Sequence, residues 1–206
     1  MAFQSYWINT DIPDEIINIL EKDISENFDN YFNESQLTGG IIDRKKRNSK
    51  NAWIPTSHWM CGFLWHYVGR ANRENFLYDI TNIDQESVQY TLYGEGQYYG
   101  WHNDSAISTY YKPANIGNST EISSTDFINK NSELVRKLSF SLQLSDPNDY
   151  EGGNLQLIDE EGKTYFAPRK KGTIIVFDSR TQHRVLKVTK GVRKSIVGWV
   201  VGPRWK

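Results

Sequence analysis

The sequence predicts a mainly β protein of the α+β class, with two helices in its N-terminal half packed on an all-β C-terminal half. Two observations predict this class. Apolar residues recur at helical spacing in two stretches before residue 77. From residue 87 onward, about six to eight short β-rich runs alternate with turn residues, which is typical of a sandwich or jelly roll. A length of 206 residues suits a single domain with a sizeable core.

The first helix is predicted from Asp11 and Pro13, which suit a helix start, to Phe28. Its apolar face is formed by residues at helical spacing, namely Ile16, Ile17, Leu20, Ile24 and Phe28.

The second helix is predicted within residues 56–76, with Ser57 as a candidate cap. Trp59, Phe63 and Tyr67 are four residues apart and predict its buried face. His58 and His66 lie among these aromatics, so we interpret both as packed or hydrogen-bonded core histidines.

Three segments outside the helices have distinct patterns. The basic stretch 44–50 reads as a solvated, mobile loop, with folding over an acidic or extended substrate as the alternative. Residues 105–132 are polar and aperiodic, and we predict a long loop that acts as a mobile lid. Gly152 and Gly153 predict a turn before a strand.

Composition excludes several classes of protein. The net charge of -1 argues against a field that would attract nucleic acid or a membrane surface. Cys61 is the only cysteine, which excludes an intrachain disulfide and a cysteine zinc site. With no signal peptide pattern and no apolar run long enough to span a bilayer, the sequence predicts a soluble, cytoplasmic protein.

His102 and Asp104 form the first candidate half of a metal site. Residues i and i+2 of a strand point to the same face, so an imidazole and a carboxylate can converge there on one ion. A polar loop beside a strand is the alternative for this pair alone.

The second candidate half lies between His183 and Val201. If Thr189–Gly191 is the turn of a hairpin centred on Lys190, its pairing places five residues on one face: His183, Val185, Arg193, Val197 and Trp199. A charged Arg193 facing inward is costly unless it meets an anion. A solvated arginine near the turn is the alternative.

Two histidines and one carboxylate leave one side of a metal ion open. This facial arrangement suits non-haem Fe(II), which needs open positions for a co-substrate and dioxygen. Zinc accepts the same ligands, so the ligands alone do not choose the metal. An inward arginine beside the metal indicates a carboxylate ligand bound by both guanidinium nitrogens.

Four segments of the sequence, in order, resemble the 2-oxoglutarate/Fe(II) dioxygenases, specifically their prolyl 4-hydroxylase-like (PKHD-type) branch. They cover about residues 90–202 and are Tyr93-x-x-Gly-x-x-Tyr99-x-x-His102-x-Asp104, the run LSFSLQLSDPNDYEGGNLQL, the P-x-x-x-G-T-I-I-V-F segment at 168–177, and the close from His183 through Arg193 to Trp199.

This resemblance implies a double-stranded β-helix, or distorted jelly roll, flanked by helices. The chain would be one domain over 1–206, with a helical support region at 1–85 and the β-helix core at 86–206. His102, Asp104 and His183 would be the catalytic iron ligands.

The resemblance also implies roles around the metal. Arg193 would hold the distal carboxylate of 2-oxoglutarate, with Tyr93 and Ser139 adding hydroxyl donors; a packed strand aromatic and an ordinary strand serine are the alternatives. Tyr99 and Trp199 would contact the residue being oxidised. Simple alternation puts Tyr99 opposite to His102, so its placement requires a bulge near Gly100.

We therefore predict an Fe(II)- and 2-oxoglutarate-dependent hydroxylase that uses O2 and releases succinate and CO2, with ascorbate as a further candidate cofactor. A prolyl residue in a peptide or protein is the preferred substrate. The alternatives are a non-peptide substrate (a free amino acid, small molecule or methylated nucleic acid) and a metal-binding β-barrel without oxidase activity. Trp199 lies where nucleic-acid demethylases of this superfamily carry a second arginine, which argues against that alternative.

Overall fold

The computed structural model describes residues 4–35, 43–106 and 134–205. Its helices are α1 (Asp14–Phe28) and α2 (Trp59–Ala71), followed by a π-helical turn at Asn72–Phe76. The first seven strands are β1 (Tyr6–Asn9), β2 (Asn33–Glu34), β3 (Arg47–Asn48), β4 (Lys50–Pro55), β5 (Asn82–Ile83), β6 (Ser87–Tyr93) and β7 (Tyr98–His102). The other eight are β8 (Leu134–Gln143), β9 (Tyr150–Gly152), β10 (Leu155–Ile158), β11 (Thr164–Phe166), β12 (Ile174–Asp178), β13 (His183–Val185), β14 (Val188–Gly191) and β15 (Arg193–Pro203).

The strands form two main antiparallel sheets. The major sheet has the order β1-β12-β8-β15-β6-β4-β2, with β5 also paired to β15, and the minor sheet has the order β11-β10-β13-β7-β3. A separate two-stranded ribbon joins β14 to β9. The fold is the predicted distorted jelly roll with flanking helices.

Two hydrophobic cores explain why these layers pack. Between the helices and the outer face of the major sheet lie Leu20, Ile24, Leu64, Phe140 and Ile196, all essentially inaccessible to solvent. A smaller core lies between the two sheets and includes the residues Tyr93, Leu157, Ile175, Phe177 and Val185. Strand β8 serves both layers because the apolar residues Leu138, Phe140 and Leu142 alternate with the polar residues Ser139, Ser141 and Gln143.

The two helices are confirmed, with corrections to α2. Its N-cap residue is His58 rather than Ser57 and makes no side-chain capping hydrogen bond. Its buried face is formed by Met60, Cys61, Leu64, Val68 and Ala71, whereas Trp59 is 48% exposed. The spacing of the aromatic residues therefore did not predict the buried face of α2. Small and aliphatic side chains let the helix lie closer to the sheet than indole or phenol rings would.

The two helix-borne histidines have different environments. The His58 Nε2 lies 3.3 Å from a carboxylate oxygen of Asp23, and its ring packs on Phe28. His66 is exposed and touches the ring of Tyr67 edge-on, so its prediction as a core histidine was wrong.

The N-terminal region is more than a helical support, because β1 to β5 all lie within its 85 residues. The basic stretch predicted as a solvated loop contains β3 and the start of β4. From residue 107 onward, the loop predicted at 105–132 lies outside the described residues. In the part of the chain that is described, the helices are too short or too polar to cross a bilayer.

The predicted hairpin centred on Lys190 is wrong. Strand β13 pairs with β10 and β7, β14 pairs with β9, and β15 pairs with β6 and β8. The turn prediction at Gly152 and Gly153 is confirmed, since both have positive φ angles, of 72° and 61°. A Cβ on Gly152 would lie 2.2 Å from the carbonyl oxygen of Lys187, so only glycine fits there.

Candidate metal centre and active-site cavity

His102, Asp104 and His183 meet at one point between the two sheets. Pairing of β7 with β13 sets His102 directly opposite His183, and their ring centroids are 4.1 Å apart. Asp104 follows β7, and its two carboxylate oxygens lie 3.7 Å from His102 Nε2 and 3.4 Å from His183 Nε2. One ligand atom from each of the three residues lies within 4.8 Å of the others, so the group can hold a metal ion.

Both imidazoles are oriented by the backbone. His102 Nδ1 lies 2.8 Å from the carbonyl oxygen of Gly100, and His183 Nδ1 lies 3.0 Å from that of Thr181. A carbonyl can only accept, so each Nδ1 carries the proton and each Nε2 keeps its lone pair for a metal.

Asp104 is held by three hydrogen bonds, two received by its carboxylate and one donated by its backbone. The Ser139 hydroxyl donates to its Oδ2 at 2.8 Å, the Trp199 side chain donates a further hydrogen bond, and its own backbone N–H donates to the Ser179 carbonyl. Ser139 also lies 3.0 Å from the Ser179 hydroxyl. The carboxylate is therefore positioned before any ligand arrives.

The electrostatics suit a divalent cation. Burial, and next the neighbouring His183, lowers the pKa of His102 to about 4, which keeps this imidazole neutral as a ligand must be. Burial acts to raise the pKa of Asp104, but His183, His102 and Arg136 outweigh it and hold the pKa below its usual value. Two imidazole nitrogens and one carboxylate on one side fit Fe(II) with open positions opposite.

A cavity extends from this cluster and encloses about 500 Å³, including its mouth. Five of its lining residues are the ones predicted to share a face, namely His183, Val185, Arg193, Val197 and Trp199. They converge although the predicted hairpin does not exist, because β13 and β15 face each other across the two sheets.

Tyr99 lines the cavity, and a β-bulge in the pairing of β7 with β13 places it there, as the sequence analysis required. The register of β7 against β13 shifts between His102 and Tyr99, so both residues reach the same side. Their rings stack with centroids 3.6 Å apart and an interplanar angle of 18°. Burial raises the pKa of Tyr99 to about 12, so its hydroxyl remains protonated.

Arg193 points inward at the other end of the cavity and is only 3% exposed. It pairs with Tyr93 across β15 and β6, its guanidinium lies 5.8 Å from the Tyr93 ring centroid, and Nη1 donates to the Ser195 hydroxyl at 3.3 Å. Burial lowers the pKa of Arg193, yet an arginine stays protonated near neutral pH. The buried cation is suited to an anionic ligand.

Ser139 does not have the predicted position. It was expected to add a hydroxyl donor beside Arg193, but its hydroxyl is hydrogen-bonded to Asp104. Ser141, two residues along the same face of β8, lines the cavity together with Arg193. The sequence predicted correctly that Ser139 faces the cavity. It did not predict which serine of this face lies nearest to Arg193, because alternation gives the face of a strand and not the position along it.

Arg47 is a cavity residue that the sequence did not single out. Only 6% exposed, it donates to the Gln89 amide oxygen and to the Ser49 hydroxyl, and its guanidinium lies 4.9 Å from the Tyr99 ring centroid. Pairing of β3 with β7 sets Arg47 opposite Tyr99. The sequence signal for Arg47 was the basic stretch 44–50, for which folding over a substrate was the alternative interpretation, but the pattern did not distinguish Arg47 from its charged neighbours.

Trp199 forms the cavity wall beside the metal cluster. Its ring lies 6.2 Å from that of Trp53, and the Arg136 guanidinium lies over it at 4.3 Å. Arg136 is in turn paired with Asp84 at 2.6 Å. These contacts hold the indole in place at the site.

The jelly roll encloses a His-Asp-His cluster and an inward arginine in one cavity. This combination is typical of metal-dependent oxygenases. The family model described as the 2OG-Fe(II) oxygenase superfamily matches residues 88–201. Because this match covers more than half of the chain, the protein belongs to that superfamily, whose cofactors are iron and 2-oxoglutarate.

Known proteins resemble this chain in sequence or in fold. A PKHD-type hydroxylase of Synechococcus sp. (strain JA-2-3B'a(2-13)) is 27% identical over 175 residues, which are 84% of this chain and 68% of the relative. The solved prolyl-4-hydroxylase of Pseudomonas putida has a TM-score of 0.66 at 18% identity, covering 98% of this chain and 94% of the other. A Trichoplax adhaerens prolyl hydroxylase, solved with a hypoxia inducible factor peptide fragment, has a TM-score of 0.64 at 18% identity, with coverage of 95% and 83%.

Proposed function

We propose that this protein hydroxylates a prolyl residue in a peptide or protein, using Fe(II), O2 and 2-oxoglutarate and releasing succinate and CO2. The observation that carries the proposal is one cavity that holds the metal cluster, an inward Arg193 and the aromatic walls Tyr99 and Trp199. PKHD-type and prolyl hydroxylase relatives support it.

The metal-binding role falls to His102, Asp104 and His183. When bound, iron would supply the redox chemistry that couples decarboxylation of the 2-oxo acid to oxidation of a C–H bond. The protein's part is to present two imidazole Nε2 atoms and one carboxylate, and to keep them oriented through Gly100, Thr181 and Ser139.

Arg193 would receive the distal carboxylate of the co-substrate, with Tyr93 beside it as a further binding residue. One cavity is lined both by the three proposed metal ligands and by Arg193. A ligand with an acidic group at each end can therefore contact the metal and the arginine together. Removal of one partner from a buried charge pair costs about 2–5 kcal/mol. Arg193→Ala should therefore weaken 2-oxoglutarate binding by roughly thirty-fold or more while metal binding persists.

The prolyl substrate is inferred from the aromatic walls. Proline presents flat apolar faces and no side-chain charge, so rings can hold it beside the metal without an ion pair. Tyr99 stacks on His102, and Trp199 donates to Asp104, so both rings lie next to a proposed metal ligand.

The test is a substrate panel with Fe(II), 2-oxoglutarate and O2. Proline-containing peptides should stimulate succinate formation and gain one oxygen atom by mass spectrometry. Trp199→Ala should retain part of the 2-oxoglutarate turnover and lose peptide hydroxylation, whereas Trp101→Ala, a change at an exposed tryptophan of β7, should behave like the wild type. Oxidation of free amino acids or methylated oligonucleotides, with no mass gain in the peptides, would overturn the prolyl assignment and leave the oxygenase assignment standing.

We also infer that the 206 residues act as one domain, since β1 to β5 of the N-terminal region pair within the same sheets as the later strands.

A further inference from the structure

The turn that follows β12, residues 178–181, contacts two of the three proposed metal ligands through its backbone. The Ser179 carbonyl oxygen accepts the Asp104 backbone N–H at 2.9 Å. The Thr181 carbonyl oxygen lies 3.0 Å from Nδ1 of His183. A shift of this turn would therefore move the hydrogen-bond partners of both ligands together.

The backbone of the turn is anchored at three points. It is closed by a hydrogen bond from the Thr181 N–H to the Asp178 carbonyl oxygen at 2.9 Å. The Asp178 N–H donates to the Ser5 carbonyl oxygen, and the Ser179 N–H donates to that of Lys137, both at 3.1 Å. Ser5 precedes β1 and Lys137 lies in β8, and these two strands flank β12 in the major sheet. The turn thus continues the pairing of that sheet.

The Asp178 carboxylate fixes the turn a second time. Its Oδ1 accepts the Arg180 backbone N–H at 2.8 Å and Arg180 Nε at 2.9 Å. Its Oδ2 accepts the Tyr78 hydroxyl at 2.6 Å. An aspartate that accepts the N–H two residues later stabilises a turn, and here the same carboxylate also joins the turn to the segment after α2.

The Trp205 ring packs against the same group of residues. The Arg180 guanidinium lies 4.1 Å from its ring centroid, and Lys137 Nζ lies 3.4 Å from it. The Tyr78 ring meets it edge-on, with centroids 4.8 Å apart. An aromatic face attracts cations, so the indole holds together two positive side chains that would otherwise repel each other. Trp205 therefore joins the turn to β8 and to the segment after α2.

This group of residues lies behind the metal centre rather than in it. In the part of the chain that the structure describes, Tyr78, Asp178 and Trp205 do not line the cavity that holds the metal cluster. Any influence that they have on the cluster must therefore pass through the turn.

We propose that Asp178, Tyr78 and Trp205 are positioning residues for the metal centre, because they fix the turn whose carbonyl groups hold two of the metal ligands. This inference rests on the proposed metal-binding function. It makes the metal affinity and the ligand geometry depend on residues that never touch the metal or its ligands.

The test measures metal binding without turnover. Calorimetry gives the Kd for Mn(II), and the visible absorption of bound Co(II) reports the geometry of the ligands. Asp178→Asn replaces the charged acceptor, and Tyr78→Phe removes one hydroxyl. Tyr67→Phe removes a hydroxyl from α2, and Ile24→Val removes a buried methyl group from α1, so these two are the matched controls.

Asp178→Asn should raise the Kd for Mn(II) by about ten-fold, and Tyr78→Phe by about three-fold, as for weakened support of metal ligands. Both should shift the Co(II) absorption bands. Ile24→Val lowers the stability of the fold, yet it should leave the Kd within about two-fold of the wild type and the bands unchanged, as should Tyr67→Phe. An equal rise of the Kd in Ile24→Val would assign the effect to general loss of stability and overturn the inference.

Trp205 is tested by rescue. Trp205→Ala should raise the Kd for Mn(II) by about three-fold, whereas Trp205→Phe, which keeps an aromatic face for the two cations, should restore most of the affinity. Trp59→Ala, at an exposed tryptophan of α2, is the control. The Tyr78 and Trp205 variants decide the question if Asp178→Asn does not fold.

The outcomes separate this inference from the proposed function. If the wild type binds Mn(II) and the variants of Asp178, Tyr78 and Trp205 bind it with the same Kd and the same Co(II) bands, the present inference fails alone. If the wild type binds neither metal, the proposed function fails and this inference with it.

Discussion

At the scale of residues, metal binding by His102 and His183 depends on which ring nitrogen carries the proton. A hydrogen bond from Nδ1 to a backbone carbonyl leaves the lone pair of Nε2 available for a metal. Gly100 and Thr181 provide these carbonyls, each two residues before the histidine it orients. This local arrangement repeats at His102 and His183, so backbone geometry alone sets both tautomers.

At this scale, we predict that His102→Ala, Asp104→Ala and His183→Ala each abolish succinate formation and greatly weaken metal binding. The described residues contain one cluster able to hold a metal, and each change removes one of its three ligands. Metal affinity by calorimetry and circular dichroism of the fold are the measurements, with His66→Ala, an exposed histidine, as the control. Full turnover by the His183 variant with iron bound would refute the ligand set.

Arg47 gives a second prediction at the residue scale. Its guanidinium lies 4.9 Å from the centroid of the Tyr99 ring, which also stacks on His102, so Arg47 borders the place proposed for the oxidised residue. We expect Arg47→Gln to lower kcat/KM for a peptide substrate by about ten-fold or more, as for loss of a charged hydrogen bond. The Kd for 2-oxoglutarate should be unchanged, because Arg193 lies at the other end.

Arg44→Gln is the control for that experiment, since Arg44 belongs to the same basic stretch but is mostly exposed. Equal losses in the two variants would indicate a general charge effect on the substrate rather than a contact made by Arg47.

At the scale of elements, the helical layer is tied to the end of β12 by a hydrogen-bonded group. The Tyr78 hydroxyl, on the segment after α2, donates to Asp178 Oδ2 at 2.6 Å, and Arg180 Nε donates to Asp178 Oδ1 at 2.9 Å. Asp178 is 4% exposed. Burial acts to raise its pKa, but the hydrogen bonds from Arg180 and Tyr78 prevail and lower it.

We predict that Asp178→Asn lowers the free energy of unfolding by about 1–3 kcal/mol at neutral pH, because buried donors lose a charged acceptor. A lowered folded-state pKa means that the carboxylate stabilises the fold above the unfolded pKa of about 4 and that this contribution is lost as the pH falls through the folded value. The difference between wild type and variant in urea unfolding should therefore shrink on acidification below about pH 4.

Asp149→Asn, at an exposed aspartate, serves as the control for this pair of measurements. A difference that stays constant down to the acid limit would show that packing, rather than the charge of Asp178, accounts for the effect.

At the scale of the whole molecule, the cavity draws on both sheets. The two histidines of the proposed metal site lie on β7 and β13 of the minor sheet. Arg193 and Ser141 lie on β15 and β8 of the major sheet and line the same cavity. A co-substrate that contacts the metal and Arg193 together would cross-link the two layers.

We predict that Mn(II) with 2-oxoglutarate raises the thermal midpoint. A ligand at a hundred-fold excess over its Kd stabilises a native state by about 2.7 kcal/mol. For a chain of this size, that amounts to roughly 5–10 °C in Tm. Differential scanning calorimetry should detect this shift in the wild type, and Asp104→Ala should show almost none of it. An equal shift in both proteins would place the ligands elsewhere.

The sequence by itself determined much of the fold and of the site. Periodicity located both helices and most later strands. The spacing of His102 and Asp104 and the inward face of Arg193 predicted residues that line one cavity in the structure. These features are local, since they depend on which residues share a face within one element, and a repeat of 2 or 3.6 residues encodes that directly.

The tertiary structure alone decided which elements meet. Strands β13 and β15 are near neighbours in sequence yet belong to different sheets, and Arg47 reaches Tyr99 only because β3 pairs with β7. The position of Ser139 against Asp104, rather than beside Arg193, likewise depends on how β8 crosses the cavity. Strand pairing joins residues far apart in the chain, and it is selected by the burial of whole faces and by backbone hydrogen bonds that any side chain permits, so no short stretch of sequence carries it.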